Sequence, residues 1–225
     1  MIIQNFDDFT KAILQFGFSM GGSNSEGIFS LSSLYGNNIL WHTEDTETDP
    51  WEWRMRVLNE RNDIAYSKLF FNKSGFITKE WYPYFLSIRR DIKTFDMEYS
   101  DGTMSNTAKR IYDIICENDS LPLHKIKRLG DFSKDDNSHF EKALVELQMK
   151  MYITMCGRAK KMSKYGEEYG WSSTVLCTSE AFWGNEVFEK SSKINKQEAI
   201  NKITEQIYKI NPAANTKKIN RFING

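Results

Sequence analysis

The hydrophobic positions of residues 105–184 change their period once, and that change is the most informative pattern in the chain. Up to Met151 the apolar residues recur every three or four positions, as they do on one face of an α-helix. Beyond it they alternate with polar residues, as in a half-buried β-strand. The pattern predicts three helices and then a two-stranded ribbon, with strands at about residues 150–160 and 169–178.

Each of the three predicted helices has a recognisable start and an apolar stripe. A residue type that commonly caps or begins helices precedes each stripe. These residues are Ser105 or Thr107 for the first helix, Pro122 for the second, and Asp135, Asp136 or Ser138 for the third. The stripes are Ile111, Ile114 and Ile115; Leu123, Ile126 and Leu129, ending at Gly130; and Phe140, Ala143, Leu144, Leu147 and Met151.

Three helices followed by a ribbon with a basic connection is the order of a winged helix, a variant of the helix-turn-helix. We therefore predict an α+β, mainly helical protein with a winged helix-turn-helix at residues 105–184 and short two-stranded wings. An aromatic-rich, mostly helical region, residues 1–104, precedes it. A helical segment, residues 185–225, follows and packs on the rest, with a turn at Asn211-Pro212.

The pattern is weaker before residue 105. A helical stripe ends at Gly17, and the Gly/Ser-rich residues 19–33 favour a loop. Residues 42–50 are predicted to be an acidic linker or loop. Residues 76–88 are the densest aromatic segment, in which Pro83 limits helix formation because it lacks a backbone donor.

Composition excludes several classes of protein. Hydrophobic residues make up 40% and charged residues 27% of the 225-residue chain, as in ordinary globular proteins. No run approaches the roughly 18 apolar residues that a membrane-spanning helix needs, and the first residues lack the basic start of a secretory signal. Cys116, Cys156 and Cys177 show no CxxC spacing, which indicates inert thiols in a reducing compartment. We expect a cytoplasmic protein.

The net charge of zero conceals an uneven distribution. Residues 1–105 carry 10 basic and 15 acidic side chains, and residues 106–225 carry 20 and 15. A basic C-terminal half favours an anionic partner. A chance difference between two solvated surfaces is the alternative.

Four stretches combine Trp, Tyr, Glu and Gly distinctively: DPWEWR at residues 49–54, GFITKEW at 75–81, LQM at 147–149 and GEEYGW at 166–171. Together they resemble the bacterial AlkZ-related proteins, which are short relatives of the alkyl-base DNA glycosylase AlkZ. The resemblance covers about residues 45–185. It implies a winged-helix architecture, in one copy or in tandem, and a glycosylase-like ancestry.

The catalytic pair of the AlkZ glycosylases is Gln-x-Gln or Gln-x-Asp near the N-terminus. Gln4 and Gln15 have neither partner two residues later. Gln148 lies late in the chain, and the residue two positions after it is Lys150 rather than Gln or Asp. Whether the chain is an enzyme therefore stays open at this point.

If the module binds double-stranded DNA, its third helix is the recognition helix. The residues expected to face a groove are Ser138, His139 and Lys142. Those expected to contact phosphates are Arg158, Lys160, Lys161 and Lys164 in the ribbon, and Arg89 and Arg90, which could equally pair with Asp91 or Asp96. Nearby carboxylates weaken DNA binding, so the alternative is a non-catalytic protein-interaction module; they are Asp131, Asp135, Asp136, Glu141 and Glu146.

One constellation of residues favours a pocket for a flipped base. Aromatic rings sandwich such a base, and a carboxylate in a low-dielectric site acts as acid or base. The candidate rings are Trp51, Trp53, Trp81 and Tyr84, and the candidate acids are Glu52 and Glu80. The alternative is that these aromatic residues are core. His42, His124 and His139 lack metal-ligand spacing, so we expect no metal and no cofactor.

We predict that Leu144→Ala lowers the free energy of unfolding by about 2–5 kcal/mol, because it would leave a cavity under the third helix. Chemical denaturation measures the change. A loss below about 0.5 kcal/mol would mean that this face of the helix points to solvent.

Overall fold

Residues 1–104 contain a small antiparallel sheet that the hydrophobic pattern did not predict. The computed structural model of the chain describes residues 1–91, 93–163 and 165–225. Its first elements are α1 (Phe6–Phe16), β1 (Phe18–Met20), a short 3-10 helix (Leu31–Leu34), α2 (Pro50–Glu60), β2 (Ile64–Phe70), β3 (Lys73–Thr78), α3 (Tyr82–Arg89) and α4 (Phe95–Ser100). The strands pair in the order β1-β3-β2. Strand β1 lies where a loop was expected, and Pro83 is accommodated in the first turn of α3, where its missing N–H has no helical partner to lose.

This first sheet is covered on both faces. Ile64, Tyr66 and Phe76 face a core with α1 and α2, where the rings of Phe9 and Phe76 meet at 5.0 Å. Other side chains of the same strands pack in a second core with α3 and the C-terminal helices, where the rings of Phe70 and Phe222 stack at 4.1 Å. A strand buried on both faces shows no polar alternation, which explains why its period was not visible.

The helices and the ribbon predicted for residues 105–184 are confirmed. The elements are α5 (Asn106–Glu117), β4 (Ser120–Pro122), α6 (Leu123–Leu129), α7 (Asn137–Met149), β5 (Ile153–Met162) and β6 (Glu168–Thr178). The two-stranded description was incomplete, because β4 also pairs with β6 and the antiparallel order is β4-β6-β5. The whole chain is thus a mixed α/β protein with two small three-stranded sheets in its described residues.

The predicted stripes of α5 and α7 form the third core. Phe140, Leu144 and Leu147 are buried, as expected, against Ile111 and Ile115. The side chain of Ser105 caps α5 by accepting a hydrogen bond from the N–H of Ala108 at 3.1 Å. In α6 only Ile126 is buried, and Leu129 is exposed.

The chain ends in helices that close over the first sheet. They are α8 (Ser179–Trp183), α9 (Asn185–Ser192), α10 (Lys196–Ile210) and α11 (Thr216–Asn224). The predicted break at Asn211-Pro212 is confirmed. None of the helices in the described ranges has the length and apolarity to cross a membrane.

The side chain of Arg89 connects strand β2, helix α7 and helix α11, which belong to residues 1–104, 105–184 and 185–225, respectively. Its guanidinium donates to the carbonyl of Leu69 in β2 at 2.7 Å and to that of Met149 at the end of α7 at 2.9 Å. It also donates to the carbonyls of Phe222 and Ile223 in α11, at 2.7 and 2.9 Å. Burial lowers the pKa of Arg89 to about 9, so the group remains charged at neutral pH. One cation therefore satisfies carbonyls at two helix ends and one strand.

Gln148 makes a second connection between the parts. Its Oε1 accepts from the hydroxyl of Ser67 at 2.8 Å and from the N–H of Lys68 at 3.1 Å, and its Nε2 donates to the carbonyl of Leu144 at 2.9 Å. The side chain is buried. This amide fixes α7 to β2.

We predict that Arg89→Lys lowers the free energy of unfolding by about 2–4 kcal/mol, because one ammonium nitrogen cannot reach four carbonyls and leaves some unsatisfied. Thermal or chemical denaturation measures the loss. Arg221→Lys on the exposed side of α11 is the control and should change stability by less than about 0.5 kcal/mol. Equal effects of the two substitutions would contradict the role given to Arg89.

Candidate nucleic-acid interface

A cleft of about 710 Å³ lies between α2 with its preceding loop and the β5–β6 ribbon. Its aromatic lining is His42, Trp51, Tyr66 and Trp171. Its charged lining is Glu44, Asp49, Glu52, Arg54, Arg158 and Lys160. Both walls therefore contribute an indole ring and charged groups, although the residues that form them are about a hundred positions apart in the chain.

Asp49 organises the loop that forms one wall. It is fully buried, and its Oδ2 accepts from the N–H groups of Thr43 and Glu44 at 2.8 and 3.1 Å. Its Oδ1 accepts from the N–H of Trp51 at 2.8 Å, which caps α2. The acidic loop is thus folded around one carboxylate that satisfies three backbone donors.

Three planar groups lie together along this wall. The guanidinium of Arg54 lies 3.2 Å from the centre of the Trp51 ring, and the rings of Trp51 and His42 are 4.8 Å apart. Arg54 Nε donates to the carbonyl of Trp51 at 2.8 Å. Burial lowers the pKa of Arg54, and Tyr66 and Glu52 oppose that effect. The Arg54 guanidinium therefore covers the Trp51 ring, whereas the His42 ring is inclined to it by 52°.

An ion pair crosses the cleft. Arg158 of β5 donates from Nη2 to Glu52 Oε2 at 2.8 Å and from Nη1 to Glu52 Oε1 at 3.3 Å. The side chain of Glu52 is only 15% exposed, so the two-point contact is partly shielded from solvent. The contact ties the ribbon to α2 and engages both oxygens of the one predicted acid that lines the cleft.

The two strands of the ribbon lose their regular register near Lys160. The most exposed aromatic side chain of the described residues, Trp171, lies at this irregular point. Ala159 pairs with Ser173 and Lys161 with Tyr169, so three residues of β6 lie opposite Lys160 alone. Trp171 is the middle one of the three and is 92% exposed. Bulges of this kind turn side chains away from the regular faces of a sheet.

The predicted groove-facing residues lie on the exposed side of α7. Ser138, His139 and Lys142 are all exposed. Lys160 is exposed and Lys161 is half-buried, and neither has an ion-pair partner within the described part of the chain. Lys164 lies outside the described residues.

Four of the six residues predicted for a base pocket lie elsewhere. Trp53 is in the core of α1 and α2, 5.1 Å from the ring of Phe9. Trp81 is buried against Gly17, where an added Cβ would overlap its ring. Tyr84 accepts a hydrogen bond from Lys202 Nζ at 2.7 Å, and Glu80 is exposed outside the cleft. Only Trp51 and Glu52 are brought to the cleft.

Arg89 and Arg90 do not form the phosphate site that their adjacency suggested. The donors of Arg89 are taken by four carbonyls, as described above. Arg90 is buried, lies 4.2 Å above the Tyr152 ring and pairs with Glu180 at 2.8 Å. Both side chains contribute to internal packing and are turned away from any phosphate at the surface.

His42, Arg54 and Trp171 are among the cleft residues that sequence reasoning missed. Arg54 is three residues from Trp51, a helical spacing that brings side chains together and could have been noticed. The exposure of Trp171 had no local signal, because it depends on the register of the ribbon. Within the described ranges, no group of three His, Cys, Asp or Glu side chains is placed to hold a metal ion.

We predict opposite stability effects for two tryptophan substitutions. Trp171→Ala should change the free energy of unfolding by less than about 0.5 kcal/mol, because the ring is in solvent. Trp53→Ala should cost about 3–5 kcal/mol, because the ring is fully buried. Denaturation of the two variants beside the parent protein tests this, and a large effect of Trp171→Ala would mean that its ring packs on the protein.

Comparison with known proteins gives one positive finding. The sequence model of a family described as AlkZ related matches residues 3–224. No curated protein and no solved structure matches the chain. Because the matched range covers nearly the whole sequence, this chain belongs to the AlkZ-related family.

Proposed function

We propose that this chain is a winged-helix protein that binds double-stranded DNA through α7 and the β5–β6 ribbon. Its family supports a relationship to DNA repair. The order helix, strand, two helices and two strands, with the first strand beside the last, suits a winged helix whose recognition helix is α7. In that arrangement His139 and Lys142 face a groove and influence which sequences or lesions are preferred.

The observation that carries the proposal is the irregular tip of the ribbon. It places the highly exposed indole of Trp171 opposite Lys160, next to Lys161, and neither lysine has an ion-pair partner in the described ranges. Unpaired cations bind phosphates by displacing counterions. An exposed planar ring beside them inserts at or stacks on a weakened base step.

The cleft then serves as the place for a base that leaves the duplex. Trp171 belongs to the ribbon and Trp51 to α2, and both line the cleft. The stacked guanidinium of Arg54 holds the Trp51 ring in position. A base with a weakened partner, or an abasic gap, costs least to open, so damaged duplexes would be bound most tightly.

Titration of a labelled duplex at several salt concentrations tests the electrostatic part. The double variant K160Q/K161Q should reduce the slope of log K against log salt by about 0.9 for each phosphate that the lysines no longer neutralise. The matched control K209Q/K217Q removes two exposed lysines from α10 and α11 and should leave the slope unchanged. Equal slopes for the parent and K160Q/K161Q would mean that these lysines of the ribbon do not contact DNA phosphates.

A duplex with one abasic site tests the aromatic part. The parent should bind it more tightly than the intact duplex, and Trp171→Ala should abolish that preference while keeping the salt slope, because indole carries no charge. If the parent shows no salt-dependent binding to either duplex at low ionic strength, DNA binding is wrong. The exposed Trp171 would then favour the other function expected for the fold, a protein-interaction module.

A further inference from the structure

A second cavity, of about 450 Å³, lies on the side of the ribbon next to α6. Five basic side chains line it: His124, Lys125, Arg128, Lys160 and Lys161. The other lining residues are Pro122, Ala159, Met162 and Tyr169, so no carboxylate lines it within the described ranges. We call it the basic pocket.

The cations of the basic pocket are not neutralised by the protein. Within the described residues, Lys125, Arg128, Lys160 and Lys161 have no ion pair and no side-chain hydrogen bond. Other cations nearby are paired: Lys127 lies 3.5 Å from Glu141, and Arg158 contacts Glu52. Like charges kept together without counter-charges repel one another, and an anion that binds among them removes that cost.

The fold brings these groups together by specific means. Lys125 and Arg128 are three residues apart and so lie on one side of α6. Successive residues of a regular strand point to opposite faces, yet Lys160 and Lys161 both line the pocket, because the ladder is irregular between Ala159 and Lys161. Both elements thus direct two cations into one cavity.

A buried polar atom is also without a partner here. His124 Nδ1 is shielded from solvent and makes no hydrogen bond within the described residues. Burial lowers the pKa of His124, and the neighbouring charges of Lys161, Lys125 and Arg128 lower it further. Burial and the cations therefore both disfavour the charged imidazole, and an anionic ligand would offset the contribution of the cations.

We propose that the basic pocket binds a phosphomonoester, the dianionic group found at a 5′-phosphorylated strand end or on a free nucleotide. This inference deepens the DNA-binding function proposed above and uses α6, which that function does not require.

The shape and the charge of the pocket favour a monoester over the duplex backbone. Backbone phosphodiesters carry one charge each and run in a row, so a protein meets them with cations spread along an open surface. Here four cations and an imidazole converge on one concavity. A terminal phosphate presents about two charges and three oxygens on one group, and it enters a cavity end-on.

The test compares three probes in equilibrium titrations: a duplex with 5′-phosphates, the same duplex with 5′-hydroxyls, and a nucleoside 5′-monophosphate. The parent should bind the phosphorylated duplex about tenfold more tightly than the hydroxyl duplex. K125Q/R128Q should abolish that preference and still bind the hydroxyl duplex. The matched control K209Q/R221Q removes one exposed lysine and one exposed arginine from α10 and α11 and should keep the preference.

The pKa of His124, followed by NMR, is a second readout. The other charged or titratable groups that line the pocket are Lys125 and Arg128 from its own helix, Lys160 and Lys161 from β5, and Tyr169 from β6. A bound phosphomonoester should raise the pKa of His124, because it offsets these positive charges. K125Q/R128Q should show a smaller rise with the nucleoside monophosphate.

The outcomes separate this inference from DNA binding itself. If the parent binds both duplexes equally and the monophosphate leaves His124 unchanged, the pocket proposal is overturned while DNA binding stands. If neither duplex binds but the monophosphate raises the pKa of His124, the pocket is a free-nucleotide site and the DNA proposal fails. A preference for the phosphorylated duplex without a response to the monophosphate assigns the pocket to strand ends. If no probe binds and His124 does not respond, both proposals fail.

Discussion

The contacts of the Arg89 guanidinium are the constraint on which the arrangement of this protein depends. Helices α7 and α11 and strand β2 direct backbone carbonyls towards the same interior point, and such carbonyls need donors once water is excluded. A hydrocarbon side chain at this position would pack but donate nothing. A single planar cation with several donors satisfies the carbonyls together and sets the distances between the three elements.

The rigidity of this connection determines what the surface can do. Helix α7 is held at its end by Arg89 and through Gln148, and the β5–β6 ribbon follows directly from it. The Arg158–Glu52 contact then fixes the ribbon against α2. The two walls of the cleft therefore keep a defined spacing without a ligand, and a preformed site loses less conformational entropy on binding than one that must be assembled.

The sequence predictions succeeded where a structure depends on residues close together in the chain. The stripes of α5 and α7, the cap at Ser105 and the two long strands of the ribbon depend on neighbours in the chain, and these predictions were confirmed. The first sheet was missed because burial on both faces removes alternation and β1 has only three residues. Arg89 and Arg90 were predicted to lie at the surface because their partners are not visible in the local sequence. The carbonyls and the carboxylate that accept their hydrogen bonds come from residues 20 to 134 positions away. The aromatic pocket was predicted from sequence proximity, yet only Trp51 and Glu52 face the cleft, while its opposite wall comes from the ribbon.

The carboxylates around α6 and α7 would repel an anionic partner, so it matters which of them are already paired within the protein. Two of these acids are already engaged by the protein: Glu141 lies near Lys127, and Asp136 accepts two hydrogen bonds from Ser133. Four cations without an ion-pair partner among the described residues, Lys125, Arg128, Lys160 and Lys161, are instead grouped on α6 and the ribbon around the basic pocket, and Lys160 also lines the cleft. A net charge of zero is therefore compatible with a locally positive surface. Ion pairs neutralise acidic and basic side chains in equal numbers, and where the remaining basic side chains are grouped, the local charge is positive. The charge available for a phosphate is set by this segregation and not by the net charge of the chain.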